Sequence, residues 1–460
     1  MKFTPLIRAG LLVSAVALLP ATTAGLAAVD GTAGPNFEKL FQVYDRVKGQ
    51  YVEQVSDEKL IKGAIEGMLA ALDPHSSYLE GASMQRINTL IDGKYQGLGL
   101  SVGMDQGTVR VIAPLKGSAA AEVGVKAGDY ITHLDGKLIQ GIDLDEAVMQ
   151  MRGAAGTKIR LTIFRPGADK PFDVTVTRRE IKLEPVTWQL EGSIGVISIN
   201  EFSRDVGNYV HDAIADLKAK NGGKLSGIVL DLRQNPGGSL DEAVALSDLF
   251  LTKGDIVSQR GRYKRYDQYF RADDPMNYRE YAPGAAASFM GDAAQGLPMI
   301  VLIDEGSASA SEIVAGALQD QHRALIMGER SFGKGSVQTL FYLNDAETEA
   351  IKLTTARYYT PSGHSVQEGG IDPDIRVPQL SDPDARRRSE LAVRESDLRR
   401  HLVNEAALDD KQLEKDAQED PRFKMTAEQL KTKGIKDFQL YYALETLRRG
   451  GARALAAKGQ

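Results

Sequence analysis

The sequence contains no cysteine and only 6 histidines among its 460 residues. The lack of cysteine excludes a disulfide scaffold, a cysteine nucleophile, a thiolate zinc site and a lipid-modified cysteine anchor. So few histidines disfavour a cage of several imidazoles, and we expect neither a metal nor another cofactor. A formal net charge of -6 provides no basic surface for phosphates, so we expect no nucleic acid partner.

Long apolar runs are also lacking, apart from one short run near the start of the chain. Lys2 and Arg8 precede an apolar stretch at 9–19, and small residues follow it. This order is typical of a secretory signal peptide, because the run is shorter than the roughly 20 residues that span a membrane. We predict export to a bacterial periplasm with cleavage near Ala27 or Ala28, and membrane association only if the segment is retained.

The remaining chain changes character three times. Helical spacing of apolar residues gives way to short apolar runs with glycine turns, and then to strands that alternate with helical segments. We predict a multidomain α/β (α+β) protein with a layered core and, after residue 378, a charged helical region that is a solvated arm or an oligomerisation element. The predicted regions are a signal peptide (1–28), an N-terminal helical region (29–94), a β-rich module (95–180), an α/β core (181–378) and a charged helical C-terminal region (379–460).

A glycine-rich loop opens the β-rich module, where Gly97 and Gly99 alternate with two leucines. Glycines before a strand let successive backbone amides turn toward one point, where they can hold the carboxylate of a peptide C-terminus. The peptide then pairs with the strand that follows. The order of loop, strands and short helix resembles a PDZ domain. We assign its peptide-binding site to Gly97, Leu98, Gly99, Leu100, Val148 and Met151.

Three serines lie between a predicted buried strand and a helix, in the segment GSASASEI: Ser307, Ser309 and Ser311. A serine in this place stands at the positive end of a helix dipole, beside free backbone amides. That setting suits a nucleophile whose attack creates an oxyanion. Judged from this segment alone, the serines could equally serve only as helix caps.

The segment FGKG places Lys334 between two glycines, ahead of a predicted strand that carries Gln338. A lysine acts as a general base only if burial lowers its pKa, and an amide oxygen could orient its amine without adding charge. A surface lysine in a flexible turn is the alternative. A phosphate-binding loop is disfavoured because Gly335 stands where a Ser or Thr is needed. Penicillin-binding enzymes carry their catalytic serine and lysine on one helix. The glycines that flank Lys334 disfavour a helix here, so this type of site is disfavoured too.

Together with NPGG at 235–238 and the segment at 356–375, these motifs resemble the carboxyl-terminal processing proteases, a Ser/Lys peptidase family. The resemblance implies a serine endopeptidase that hydrolyses peptide bonds. It implies that Ser309 is the nucleophile, Lys334 the general base and Gln338 the residue that orients the lysine. The implied oxyanion hole consists of the backbone amide of Ala310 and one from the NPGG loop, at Gly237 or Gly238.

The resemblance also implies partners. We expect protein substrates with exposed, unstructured apolar C-terminal tails, a homo-oligomer and, as a further candidate, an adaptor protein. Because such proteases are often gated by the PDZ domain, Arg165 at the exit of the module is a regulatory candidate; a solvated strand-end arginine is the alternative. Two other functions stay open: a PDZ-type binding scaffold and a latent protease that needs an adaptor.

The histidines form no recognisable triad pattern in the sequence, although a Ser-His-Asp site stays open because triads assemble from distant positions. We expect His75, in the segment LDPHSSYL, to fix a loop beside the core. His364 follows TPSG, and we expect it to have a structural role at the end of a strand.

Overall fold

A computed structural model of the protein describes residues 34–105, 107–115, 117–139, 141–264, 267–272, 274, 291–382, 394–404, 423 and 425–450. The predicted signal peptide at 1–28 lies outside these residues. Within the described ranges, no helix combines the length and the apolar character needed to cross a membrane.

The helices begin where the sequence offers polar caps. Ser56 accepts a hydrogen bond from the amide of Lys59, and Asp143 accepts one from the amide of Glu146, as the spacing predicts. A 3-10 turn lies at Glu395–Asp397 in the C-terminal region. The α-helices of the described chain are Gly34–Gln50 (α1), Asp57–Ala70 (α2), Gly81–Asp92 (α3), Ala119–Glu122 (α4), Leu144–Met151 (α5), Val206–Lys220 (α6), Leu240–Asp248 (α7), Ala310–Asp320 (α8), Ala427–Thr432 (α9) and Phe438–Arg448 (α10).

The strands divide among three larger sheets and one two-stranded ribbon. They are Ser77–Glu80 (β1), Lys94–Gly97 (β2), Leu100–Asp105 (β3), Thr108–Pro114 (β4), Tyr130–Leu134 (β5), Lys137–Leu138 (β6), Lys158–Phe164 (β7), Phe172–Thr177 (β8), Arg179–Lys182 (β9), Val186–Glu191 (β10), Ile194–Ile199 (β11), Gly227–Asp231 (β12), Asp255–Gly261 (β13), Gln268–Arg271 (β14), Met299–Ile303 (β15), Leu325–Gly328 (β16), Ser336–Tyr342 (β17), Glu349–Tyr359 (β18) and Ile375–Arg376 (β19).

The predicted α/β core is built on a sheet of order β10-β11-β12-β15-β16-β19, parallel except between β10 and β11. Its strands are apolar on both faces. Ile228 and Leu230 pack with helices α6, α7 and α8, whereas Val229 packs on the other side with α10. The C-terminal region therefore supplies a cover for the core sheet, which corrects the prediction of a solvated arm.

A second sheet, of order β1-β18-β13-β14 with β17 paired to β18, lies beside this core and carries the lysine segment. Its edge strand β1 comes from the N-terminal region, which is thus helical with one added strand. Leu79 of β1 is buried against Met84 and Ala350, so apolar packing fixes the register that places Ser77 opposite Lys352. This pairing joins the start of the described chain to the strands around Lys334.

The β-rich module forms a separate sheet of order β3-β4-β5-β7-β8, with β6 paired to β5 and its own buried core. Ribbon β2–β9 closes its entry and exit. Gly99 has a positive φ of 73°, and a Cβ there would lie 2.3 Å from the Cβ of Ser118, so only glycine fits this turn. The predicted multidomain α/β (α+β) architecture is confirmed.

Candidate active site

The structure separates the three serines by burial and hydrogen bonding. Ser307 and Ser311 are fully buried, and their hydroxyls donate to the carbonyl oxygens of Leu232 (2.8 Å) and Asn235 (2.9 Å). Ser309 is partly exposed, and its hydroxyl donates no hydrogen bond within the described residues. Two of the serines thus brace the turn, and Ser309 is the one whose hydroxyl is available for reaction.

Ser309 sits in a strained turn at the start of α8, with φ 54° and ψ -110°. A non-glycine residue at positive φ carries strain that the surrounding structure must enforce. The turn lies against the NPGG loop, because a Cβ on Gly237 would come within 2.8 Å of both the Ser309 Cβ and the Ala308 carbonyl oxygen. A glycine at 237 therefore lets this loop approach the serine closely.

The backbone amides near Ser309 differ in their availability. The amide of Gly237 donates to Asn235 Oδ1 at 2.9 Å, so of the two glycines predicted for the oxyanion hole it is the one whose amide is already hydrogen-bonded. The Asn235 side chain thus already uses the amide of Gly237. Within the described part of the chain, the amides of Ala310 and Gly238 donate no hydrogen bond. These two amides are the donors that remain for an oxyanion.

Lys334 lies on the loop between β16 and β17, with its side chain partly buried. Burial, together with the nearby positive charge of Lys352, lowers the pKa of Lys334 to about 8. The carboxylates of Glu395, Glu312 and Asp73 act in the opposite direction. About a tenth of the amine is therefore neutral at pH 7 and about half at pH 8, which makes a neutral amine available as a general base.

Two buried residues that the sequence analysis missed join the serine and lysine segments. Glu312 Oε2 accepts hydrogen bonds from the amides of Ser309 (2.7 Å) and Lys334 (3.0 Å). The hydroxyl of Tyr358 lies within hydrogen-bond distance of the carbonyl oxygens of the same two residues. Glu312 stands three residues after Ser309, the spacing of a capping box, so this signal was present in the sequence. The structure thus brings the predicted serine and lysine together.

Glu312 is fully buried, and burial raises the pKa of its carboxyl to about 7 despite hydrogen bonds from Ser331 and three backbone amides. We expect Glu312→Gln to lower the free energy of unfolding by about 1–3 kcal/mol, because the new amide group turns a donor toward buried donors. Cleavage activity should fall at least about 10-fold, since both loops lose a shared anchor. Thermal unfolding and peptide cleavage would measure these effects.

Exposed Glu428 provides the matched control, because Glu428→Gln makes the same chemical change where water can satisfy either group. This variant should match the wild-type protein in both assays. Unchanged stability and activity in Glu312→Gln would show that the carboxylate does not hold the two loops.

Gln338 lies on β17, as predicted, and its carboxamide nitrogen donates to Ser336 Oγ (3.0 Å) and Thr354 Oγ1 (3.2 Å). Among the described residues, no hydrogen bond joins the Lys334 amine to Gln338 or to the Ser309 hydroxyl. Catalytic hydrogen bonds are often long in the absence of substrate. The predicted lysine-orienting contact with Gln338 is therefore not made in this conformation.

A segment of the C-terminal region, residues 394–404, packs against the lysine loop. Glu395 is fully buried, and its carboxylate accepts from Gln367 Nε2 at 2.9 Å and contacts His75 Nε2 at 2.8 Å. Burial would raise the pKa of Glu395, but the hydrogen bonds from His75 and Gln367 hold it below its ordinary value. His75 thus fixes a loop beside the core, and no contact of His75 leads to Ser309 within the described residues.

His364 contributes its carbonyl oxygen to the amide of Thr360 near the end of β18, in keeping with the structural role expected for it.

The residues predicted to bind a peptide divide into two groups in the β-rich module. Leu98 and Met151 lie in its buried core, whereas Leu100 and Val148 are partly exposed against that core. The amides of Leu98 and Gly99 donate no hydrogen bond within the described part of the chain. The loop from Gly97 to Leu100 therefore offers free amides beside partly exposed apolar side chains.

Arg165 lies inside the same module. Its guanidinium donates two hydrogen bonds, of 2.7 and 2.8 Å, to the carboxylate of Asp129, which is 1% exposed. It also lies over the ring of Phe172, 5.1 Å from the ring centroid. These contacts tie Arg165 to the interior of the module, and a regulatory role for it stays a prediction.

Comparison with known proteins agrees with the domain pattern. The family model described as Peptidase family S41 matches residues 193–377. The model for the PDZ domain matches residues 110–165, and the one for the activating protease CtpB N-terminal domain matches residues 21–83. The three matches follow the chain order of the N-terminal region, the β-rich module and the α/β core.

Individual relatives extend over most of the chain. A carboxy-terminal-processing protease of Bartonella bacilliformis is 46% identical over 361 residues, which cover 78% of this chain and 79% of the relative. A probable CtpA-like serine protease of Staphylococcus aureus is 36% identical over 343 residues, covering 74% of this chain and 65% of the relative.

Among solved structures, the photosystem II D1 C-terminal processing protease is 27% identical to this chain, with a TM-score of 0.43, and covers 80% of this chain and 94% of its own. The family matches and the curated relatives establish the assignment. The chain belongs to peptidase family S41 and is a serine protease of the carboxy-terminal-processing type with a PDZ domain.

Proposed function

We propose that the protein is an exported serine endopeptidase that recognises unstructured apolar C-terminal tails and cleaves with a Ser309–Lys334 dyad. The main support for the dyad is that one buried oxygen, Glu312 Oε2, accepts hydrogen bonds from the backbone amides of both Ser309 and Lys334. Two further features support it, namely the partly exposed Ser309 hydroxyl and the pKa of Lys334, lowered to about 8.

In the proposed reaction, the neutral amine of Lys334 takes the hydroxyl proton as Ser309 Oγ attacks the carbonyl carbon of the peptide bond. The amides of Ala310 and Gly238 hold the resulting oxyanion. Collapse of the intermediate breaks the C–N bond, and the protonated lysine gives its proton to the leaving amine. Water then attacks the acyl carbon with the same amine as base, the ester C–O bond breaks, and the protonated Lys334 returns the proton to Ser309 Oγ as the carboxylic acid product leaves.

Substrate selection is proposed for the PDZ domain. The free amides at Leu98 and Gly99 can hold a terminal carboxylate, and Leu100 opens the strand to which the tail can add. Leu100 and Val148 are partly exposed and apolar, so they favour an apolar terminal side chain over a charged one. The partners of this enzyme are therefore proteins with exposed, disordered C-terminal tails.

We also propose a homo-oligomer and an exported enzyme whose signal peptide is removed near Ala27 or Ala28. Helix α1 supports the oligomer, because Phe37, Leu40 and Phe41 are 54%, 43% and 65% exposed on it. An apolar helix face of this kind is typical of a protein–protein contact. An adaptor protein is a further candidate partner for the same enzyme.

The test uses the purified mature protein and one disordered test protein in two versions, ending in Leu-Ala-Ala or in Asp-Asp. We expect the apolar-tailed version to be degraded at least about 10-fold faster, because the charged tail cannot bury its last side chains. Gel electrophoresis and mass spectrometry would follow the loss of each version.

Equal cleavage of both versions would contradict tail recognition. If neither version is cleaved, a titration of the tail peptides would separate two outcomes. Binding of the apolar tail without cleavage would indicate a latent enzyme or a scaffold, and absence of binding would remove the proposed role of the PDZ domain.

A further inference from the structure

The carboxamide of Gln338 can orient the lysine amine only if its oxygen, and not its nitrogen, faces that amine. A carboxamide presents an acceptor at one end and two donors at the other. The two ends have nearly the same shape, so packing alone does not choose between them. The hydrogen-bond partners around Gln338 must therefore fix which end points to Lys334.

A buried aspartate from the N-terminal region sets the direction of these hydrogen bonds. Asp73 is 5% exposed, and its carboxylate accepts from the amides of His75 (2.8 Å) and Ser76 (2.9 Å) and from the Ser76 hydroxyl (2.8 Å). Burial would raise the pKa of Asp73, but hydrogen bonds from Ser76, His75 and Thr354 hold it below its ordinary value. Asp73 is therefore ionised and can only accept.

Because Asp73 can only accept, Thr354 must donate to it, and this fixes which end of Gln338 Thr354 can bind. Its hydroxyl carries one hydrogen, which it donates to Asp73 Oδ1 at 3.1 Å. The same oxygen must then accept, and it lies 3.2 Å from the carboxamide nitrogen of Gln338. The Ser76 hydroxyl gives its own hydrogen to Asp73 Oδ2, so it does not compete for this place. The nitrogen end of Gln338 is thereby held on Thr354.

The oxygen end of Gln338 stays available. Gln338 Oε1 accepts no hydrogen bond within the described part of the chain, and its nitrogen uses both hydrogens on Thr354 and Ser336. Lys334 stands two residues before β17, and Gln338 is the third residue of that strand, so both side chains belong to one short segment. The carboxylate of Asp73, which acts on the pKa of Lys334, is also hydrogen-bonded to Thr354, the partner of Gln338.

We propose that Asp73 and Thr354 are positioning residues that fix the carboxamide of Gln338 with its oxygen toward Lys334. This inference rests on the proposed Ser309–Lys334 chemistry and adds two residues to it. It also gives the N-terminal region a role in the reaction, because Asp73 reaches Thr354 across the pairing of β1 with β18.

The test is Thr354→Val, which keeps the shape of the side chain and removes the hydroxyl. We expect kcat to fall about 10-fold with KM unchanged, because the amide can then turn its nitrogen toward the amine. The acidic limb of the pH profile of kcat/KM should move to lower pH by at least about half a pH unit. The reason is that protonated Lys334 loses an acceptor.

Three further variants sharpen this test. Thr354→Ser restores the hydroxyl and should recover most of the wild-type kcat. Thr355→Val removes the neighbouring hydroxyl, which pairs with Thr339 at 2.7 Å on the same two strands, and should leave kcat and the pH profile unchanged. In a Gln338→Leu background, Thr354→Val should cause no additional loss. If Thr354→Val does not fold, Thr354→Ala takes its place.

Wild-type kcat in Thr354→Val would overturn the proposal, as would an equal loss in Thr354→Ser or an undiminished loss in the Gln338→Leu background. Failure of the underlying chemistry is recognised separately, because Lys334→Arg would then stay active. If Lys334→Arg is inactive and Thr354→Val behaves like the wild-type enzyme, only the positioning role is lost.

Discussion

Ser309→Ala is expected to fold like the wild-type protein and to lose at least about 10⁴-fold in kcat/KM. The hydroxyl of Ser309 donates no hydrogen bond within the described residues, so its removal should change the free energy of unfolding by no more than about 1 kcal/mol, the usual contribution of a helix cap. The loss of activity follows because no other group can form the acyl bond at this place. Cleavage of a disordered apolar-tailed protein and thermal unfolding would measure both quantities.

Ser311→Ala is the matched control, since it removes a hydroxyl two residues away on the same helix start. Its hydroxyl donates to the Asn235 carbonyl oxygen at 2.9 Å, so the variant should lose about 1 kcal/mol of stability and keep measurable cleavage. Cleavage by Ser309→Ala above the background rate would place the nucleophile elsewhere.

Lys334→Arg should lower kcat/KM at least about 10³-fold, because a guanidinium does not release its proton and cannot act as a base. The pH dependence of the wild-type enzyme should report the same group. Below a pH of about 8 the amine holds its proton, so activity should fall about tenfold per pH unit. Activity should rise as the pH passes through about 8 and then level off, and Lys334→Arg should show no such rise.

Lys352→Arg makes the same exchange at the neighbouring lysine. It keeps the positive charge that lowers the pKa of Lys334, so the rate and the position of the acidic limb should both be retained. Full activity in Lys334→Arg, or a pH profile without a limb near 8, would exclude the lysine as the base.

The layered core and the helix starts could be predicted from the sequence because they depend on neighbours along the chain. Alternation between Ile228 and Val229 onto opposite faces, and the cap at Asp143, are local signals. The choice of Ser309 among three serines came from the family resemblance. Burial of Ser307 and Ser311 gives the same choice a physical reason, and this reason could not be derived before the fold was known.

Contacts between distant segments were beyond the reach of the sequence. Asp73 and Thr354 are separated by 281 positions, and nothing in either segment indicates the other. The charged composition after residue 378 predicted exposure to solvent. Glu395 in this region is nevertheless fully buried, and its carboxylate is hydrogen-bonded to His75. A buried ionised group looks the same in a sequence as a solvated one until its partner is located.

Helix α10 makes the enzyme's own C-terminal region part of its working structure. Phe438, Leu444 and Leu447 close the second face of the core sheet, and Asp437 binds Arg233, the neighbour of the NPGG loop. Loss of this segment would uncover an apolar face of the core sheet and remove an ionic partner of the arginine that stands two residues before the NPGG loop. A chain that ends before Asp437 is therefore expected to lose the stability of the whole core, and not to yield a smaller protease.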